Sequence, residues 1–312
     1  MVSSRLNMKN QIDFYHYSMD VPQLDSSSTA SLVKSPVPIN QLQMVSDIQY
    51  FSCNGIILIS YTDDIIILWN PATRESRRIA CPIRSNWDRT LPCCLYNFCY
   101  FPRINDYKIF RLGPKVVNGY MEMEIDIFST KGNTWKSIGP FPPNYYFFGS
   151  SIVMVDGVVY MMAKRSENGD RASTIVRFCL EKEQFQEELL FPHMTERTTS
   201  VLCDLGEKLC LSRKLVDYHD YSMSSNHEFW LYTMKTNSWN KMLTIPNHYF
   251  WLTPLSFMKN GDILFQYYVN SGFVAYNSTT HKLKQVNVAG IRAGLYFRKA
   301  VTYVETLSSP NS

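Results

Sequence analysis

Ile66-Ile67-Leu68-Trp69-Asn70, followed after a polar turn by Arg77-Arg78-Ile79, is the first copy of the phrase that decides the fold. An apolar strand runs into a polar turn, and a second strand opens beyond it, usually on an aromatic or long aliphatic residue. Four more copies follow: Ile125-Asp126-Ile127-Phe128-Ser129 with Trp135-Lys136-Ser137-Ile138, Ile175-Val176-Arg177-Phe178 with Phe185, Phe229-Trp230-Leu231-Tyr232 with Trp239-Asn240-Lys241-Met242, and Phe273-Val274-Ala275-Tyr276-Asn277 with Leu283. Successive copies lie roughly 45 to 60 residues apart, the period of a propeller blade rather than of a helical repeat.

A second hairpin precedes four of the five copies, and each turns on a glycine: Cys53-Asn54-Gly55-Ile56, Val155-Asp156-Gly157-Val158, Asp204-Leu205-Gly206-Glu207 and Lys259-Asn260-Gly261-Asp262. Asn-Gly and Asp-Gly supply the positive φ angles that tight hairpins need. In the remaining unit the first hairpin turns at Pro102-Arg103-Ile104-Asn105-Asp106. Two hairpins per unit make four strands, and no stretch keeps a 3.6-residue apolar period, so helices are expected to be few and short.

The predicted blades run over 47–81, 93–139, 149–191, 199–245 and 254–288, with spare strands at Asp13 to Met19 and Tyr296 to Glu305. Open sheet edges invite aggregation, so the two terminal strands are expected to pair and complete a sixth, composite blade. The sequence thus predicts an all-β chain, a single β-propeller of about six four-stranded blades (five to seven) closed by pairing of the N- and C-terminal strands. Residues 1–11 read as a linker remnant, 12–307 as the propeller domain and 308–312 as a frayed, disordered tail.

Composition agrees with one globular unit: 45% of the 312 residues are hydrophobic, 19% charged and 14% aromatic. A formal charge of +4 is spread along the chain, so it forms no nucleic-acid footprint. The densest basic stretch, Arg74, Arg77, Arg78, Arg84 and Arg89, reads as a solvated strand edge and loop, with phosphate binding as the alternative. No window approaches the roughly 18 apolar residues of a membrane span, and the first thirty residues contain no signal-like apolar run. A cytoplasmic or nuclear location follows as the expectation, with the eight cysteines as thiols. No C-x-x-C pair is present, and Cys93, Cys94 and Cys99 sit among apolar strand residues.

Ser52-Cys53-Asn54-Gly55 followed by Leu68-Trp69-Asn70-Pro71-Ala72-Thr73-Arg74 resembles the S-C-N-G and L-W-N-P-x-T-[RK] signature of the plant F-box-associated, kelch-like family. Asp106-Tyr107-Lys108, Asn133-Thr134-Trp135-Lys136, Ser238-Trp239-Asn240-Lys241 and Asn260-Gly261-Asp262-Ile263-Leu264 extend the resemblance over 45–305. The resemblance implies the substrate-recognition part of an SCF-type, cullin-based ubiquitin ligase, in which an F-box grips a Skp adaptor and the β-domain holds the target. The family's F-box, a helical segment opening near L-P-x-[DE], is not found before Ser46, so a Skp adaptor is expected as a partner only if an F-box is present in the full-length protein. The signature residues themselves have a structural reading: Trp69 ends a buried strand, Pro71 presets a turn, and Asn70 and Thr73 bond turn backbone.

The connections between blades are rich in aromatics and cations, the residue types that dominate interface energetics. They carry the candidate partner-binding residues: Arg84, Trp87 and Arg89; Tyr145, Tyr146 and Phe147; His193 and Arg197; His248, Tyr249 and Trp251; and Arg292. The competing reading folds some of them inward as packing. No nucleophile elbow, zinc-binding helix or phosphate-cradling glycine loop is present. Asp217, His219, Asp220, His227 and Glu228 form the one acid and histidine cluster, and a solvated loop is preferred to a metal site. The expectation is a non-enzymatic protein-interaction domain with no catalytic residue, no cofactor, no metal, no nucleic acid and no membrane, whose partner is a protein target for ubiquitination. The alternative is a carbohydrate-binding or glycan-acting propeller in which Trp87, Tyr146 and Trp251 stack on sugar rings.

Overall fold

The computed structural model describes residues 2–6, 12–16, 31–33, 49–62, 65–82, 94–167, 170–192, 198–215, 225–248, 251–258, 260–267, 272–286 and 297–311. Among the described residues the regular structure is entirely β. The chain opens with β1 (Val2–Leu6), β2 (Ile12–His16) and β3 (Ser31–Val33). Three meanders follow: β4 (Gln49–Cys53), β5 (Ile56–Thr62), β6 (Ile65–Trp69) and β7 (Ser76–Ala80); β8 (Leu95–Phe101), β9 (Asp106–Val117), β10 (Tyr120–Ser129) and β11 (Thr134–Pro140); β12 (Tyr145–Val155), β13 (Val158–Glu167), β14 (Asp170–Cys179) and β15 (Gln184–Leu190). Two more are β16 (Thr198–Asp204), β17 (Leu209–Leu215), β18 (Ser225–Thr233) and β19 (Ser238–His248), then β20 (Leu252–Phe257), β21 (Ile263–Tyr267), β22 (Gly272–Asn277) and β23 (Lys282–Val286), before the last strand β24 (Phe297–Val301).

Each meander is one four-stranded antiparallel sheet, and β24 joins β1, β2 and β3 in a sixth, ordered β24-β1-β2-β3. The chain falls into two compact units, one of residues 1–42 and 192–302, the other of residues 43–191 and 303–312. Each contains three sheets.

The recurring phrase becomes the third and fourth strands of each of the five meanders. Its aromatic opening residue faces the end of the preceding strand: Trp135 is the register partner of Phe128, Phe185 of Phe178 and Trp239 of Tyr232. Their ring centroids lie 5.2, 5.1 and 5.4 Å apart, and such cross-strand pairs contribute about 0.2–1 kcal/mol each. The glycine hairpins turn as expected, with Asn54 and Gly55 at φ 47° and 75°. Several strands of each sheet contribute apolar residues to the clusters that join neighbouring sheets within a unit. Phe110 and Phe178 meet at 5.5 Å in one unit, Phe229 and Phe265 at 4.9 Å in the other.

The predicted blades match the sheets to within a few residues, and the two chain ends do pair, but through Val2 with Val301 and Ser3 with Ala300 rather than through the expected Asp13 to Met19, whose strand β2 lies one place further in. Two expectations are corrected. Residues 1–11 are not a linker, because Val2–Leu6 is the second strand of the terminal sheet, bonded to β24 on one side and β2 on the other. Val2-Ser3-Ser4-Arg5-Leu6 lacks an apolar run, so only its two-sided main-chain pairing identifies it. The strand expected to reach Glu305 stops at Val301. Beyond it the chain is extended without sheet pairing, and Ser308 to Asn311, expected to fray, are held by hydrogen bonds described below.

Candidate partner-binding surface and the turn end

Strand alternation gives each sheet two ends. In the sheet of β8 to β11, strand β9 runs from the first turn to the β9–β10 hairpin, and β11 returns to the same end before the chain enters β12. The candidates Tyr145, Tyr146 and Phe147 fall at this connection end. The structure moves part of that segment into a strand: the connection expected over 140–148 is shorter, because β12 begins at Tyr145, pairing Tyr145, Tyr146 and Phe147 with Arg165, Lys164 and Ala163.

A strand sends alternate side chains to opposite faces, and the three aromatics separate accordingly. Tyr145 and Phe147 pack against the core cluster that includes Phe141, Ile152, Val176 and Phe178, and Phe147 meets Phe141 edge-on at 6.1 Å. Tyr146 points the other way and is 65% exposed. At the same end of this unit's sheets stand Tyr120, 76% exposed, Val116 on the β9–β10 hairpin and Leu190 at the tip of β15. Lys115 lies among them, paired to Glu124 at 2.9 Å, and Arg165 bonds Glu188. Tyr120 and Val116 flank the Asn118-Gly119 hairpin turn and Leu190 ends β15; lying outside the aromatic-rich connections, none of the three is marked by the sequence.

Trp251 is half-buried with its ring 5.0 Å from that of His227, and His248 ends β19 opposite Ser225. Arg84, Trp87, Arg89, His193, Arg197, Tyr249 and Arg292 lie outside the described residues. Arg77 of the basic stretch bridges neighbouring sheets, donating to the carbonyl of Thr130 at 3.1 Å and to Asn133 Oδ1 at 2.8 Å.

Asp217, His219 and Asp220 of the acid and histidine cluster also lie outside the described residues. His227 and Glu228 are consecutive in β18 and so occupy opposite faces. His227 is fully buried, its Nε2 2.7 Å from Ser212 Oγ, and Ser212 Oγ donates to the carbonyl of Leu252 at 3.1 Å. Glu228 accepts hydrogen bonds from Arg213 Nη2 at 2.6 Å and Lys241 Nζ at 2.6 Å on its two oxygens, and from Trp230 Nε1 at 3.2 Å. Both cations also lie over the Trp230 ring, 5.0 and 4.9 Å from its centroid. Burial alone would raise the Glu228 carboxyl, but these donors outweigh it and hold the group below the ordinary glutamate value. The arrangement is a packed ion-pair cluster, and the buried Ser212 hydroxyl has no face open to a substrate.

Seven described cysteines are free thiols. Cys203 and Cys210 are register partners across β16 and β17, and the hydrogen bond to Cys210 together with burial pushes the Cys203 thiol up.

The opposite end of each sheet carries the short turns. There the signature residues behave as the sequence suggested: Trp69 is buried, and Asn70 Oδ1 caps the β6–β7 turn, accepting from Ala72 N at 2.9 Å and Thr73 N at 3.4 Å. Thr73 Oγ1 accepts from Glu75 N at 3.4 Å.

Tandem four-stranded antiparallel meanders, the terminal one completed by both chain ends, define a β-propeller. The chain belongs to the F-box associated beta propeller domain family, whose profile matches residues 5–308. It is 25% identical over 232 residues to F-box protein At5g10340 of Arabidopsis thaliana, covering 65% of this chain and 48% of that protein. It is 24% identical over 233 residues to the putative F-box protein At3g17500 of the same plant, covering 73% of this chain and 58% of the other. The chain thus spans about half the length of these curated relatives. Among solved structures it aligns with a chain of the nidogen/laminin complex, at TM-score 0.47 and 12% identity over 95% of each chain. It also aligns with the tricorn protease, at TM-score 0.46 and 9% identity over 92% of this chain and 30% of that one.

Proposed function

We propose that this propeller is a non-enzymatic protein-interaction domain that holds a target protein for ubiquitin transfer within a cullin-type ligase, with a Skp adaptor as partner only if an F-box is present in the full-length protein. The observation that carries the reading is the family match over residues 5–308; the names of the curated relatives, F-box proteins, support the ligase context. Tyr146 and Tyr120 supply solvent-facing aromatic area at the connection end, and Tyr side chains are frequent interface hot spots, worth about 2 kcal/mol or more each. Target capture needs no cofactor and no catalytic group from this chain. The cytosol or nucleus, where ubiquitin ligases and reduced thiols coexist, is the expected location.

The test is proximity labelling in plant cells with the full-length protein, comparing wild type with the Tyr120→Ala, Tyr146→Ala double variant, both residues being solvent-facing. Both proteins should label a Skp adaptor where the full-length protein has an F-box, and the variant should lose a ubiquitinated partner while melting near the wild-type temperature. An identical partner set for the folded double variant would remove the connection end of these sheets as the recognition surface. A wild-type protein that labels neither adaptor nor ubiquitinated partner, but binds on a glycan array, would replace the ligase reading altogether.

A further inference from the structure

At the turn end of the β4 to β7 sheet, the residues from Tyr303 to Ser309 lie in a cradle built by two turns of that sheet and one side chain of the next. Asn70 is fully buried and reads the main chain of the segment: its Nδ2 donates to the carbonyls of Thr306 at 2.9 Å and Ser308 at 2.7 Å. Its Oδ1, besides capping its own turn, accepts from Tyr303 Oη at 3.1 Å. The carbonyl of Asn54 accepts from Thr306 Oγ1 at 3.2 Å and from Tyr107 Oη at 3.2 Å. The Asn54 amide donates to Tyr107 Oη at 3.0 Å and Ser308 Oγ at 3.4 Å. Ser309 Oγ donates to Glu75 Oε2 at 2.6 Å.

Shape selects as well as hydrogen bonding. A Cβ at residue 55 would lie 1.9 Å from Thr306 Oγ1, so only glycine lets the threonine approach, and its φ of 75° suits the same residue type. Val304 and Leu307, between the anchors, point to solvent, 74% and 91% exposed. What the cradle recognises is therefore a pair of main-chain carbonyls, a phenol and small hydroxyls. None of these bonds belongs to a strand pairing, and the β4 and β5 register is complete without them.

We propose that Asn54–Gly55 and Asn70–Glu75 form a second binding site of this protein, one for an extended peptide bearing a tyrosine, a threonine three residues on and a serine two residues after that. The chain's own residues 303–309 fill it in cis, and a partner segment of the same chemistry enters by displacing them. The proposal stands independently of the ligase reading, because it concerns the opposite end of the sheets and a ligand read through its backbone.

The experiment uses the full chain and a fluorescent synthetic peptide with the sequence of residues 302–312. A tethered segment competes at an effective concentration on the order of millimolar, so wild type should take up little peptide below that range. Thr306→Trp, whose ring cannot pass Gly55, clears the resident segment and should tighten apparent peptide binding by about 100-fold or more, the advantage the tether gave its occupant. Adding Asn70→Asp keeps the oxygen that caps the turn but removes both donors to the peptide carbonyls, and should abolish that uptake. A Thr306→Trp chain that keeps its melting temperature yet binds no more peptide than wild type overturns the proposal. Should that variant fail to fold, hydrogen exchange on the unmodified chain decides: excess peptide should speed exchange over 303–311 while leaving β5 unchanged, and identical exchange with and without peptide overturns it.

Discussion

Arg111 and Asp126 face each other across the two central strands of the β8 to β11 sheet, guanidinium to carboxylate at 2.6 Å, with side chains only 1% and 3% exposed. Arg111 Nη2 also reaches Cys94 Sγ at 3.0 Å, and a Cβ on Gly113 would stand 2.7 Å from that sulfur, so the pair sits in a filled pocket. Two charges removed from water roughly break even as a pair, but either one left alone does not. Asp126→Ala is therefore expected to destabilise the protein by about 3–5 kcal/mol. Replacing both residues with apolar side chains of similar volume should recover most of that loss. Urea denaturation of the single and double variants measures the difference; a mild single variant would show that water reaches Arg111.

Glu228 predicts a pH dependence whose sign is fixed by its surroundings. Burial raises the carboxyl, the bonds from Lys241, Arg213 and Trp230 more than reverse this, and the folded-state value lies below the ordinary 4.5. Glu183, between Lys108 and Lys136, shows the same balance. A carboxyl depressed on folding contributes stability that is present above its unfolded value and is lost as pH falls through the folded one. Melting temperature should therefore decline on acidification below about 4.5, the unfolded value. Glu228→Gln should lower the melting temperature at pH 7 and shrink its deficit toward pH 3, where wild type loses the same interaction. A deficit independent of pH would mean that Glu228 acts through packing alone.

What the sequence disclosed and what it hid have separate physical causes. The third and fourth strands were legible because Phe128 and Trp135, or Tyr232 and Trp239, are near neighbours in sequence as well as across the ladder. The Asn54-Gly55 turn was legible because few residue pairs tolerate two positive φ angles in succession. The sequence groups His227 and Glu228 with a solvated polar loop, whereas both lie in β18, which sends consecutive residues to opposite faces. The role of Val2–Leu6 was not legible: its partner, Phe297–Val301, lies at the far end of the chain, and neither segment reveals the other. The same holds for the cradle, where Asn70 bonds residues 236 and 238 positions away. At the connection end, Tyr145-Tyr146-Phe147-Phe148 looked like a loop because an unbroken aromatic run hides the period of two that would mark a strand.

That hidden alternation yields the sharpest test of the connection end. Phe147 packs against Phe141 and the apolar cluster around it, whereas its neighbour Tyr146 is 65% exposed on the other face of β12. Truncating a packed phenylalanine removes its transfer energy and leaves a cavity, so Phe147→Ala should destabilise the domain by about 3 kcal/mol. Tyr146→Ala removes area that solvent already touches and should change stability by no more than about 0.5 kcal/mol. The two residues should also differ in the opposite sense toward a bound partner, with Tyr146→Ala weakening capture and Phe147→Ala acting only through the folded fraction. Denaturation curves read beside partner capture, normalised to folded protein, distinguish the roles. Equal stability losses for the two variants would mean that β12 does not begin at Tyr145, and that this end of the sheet is a loop after all.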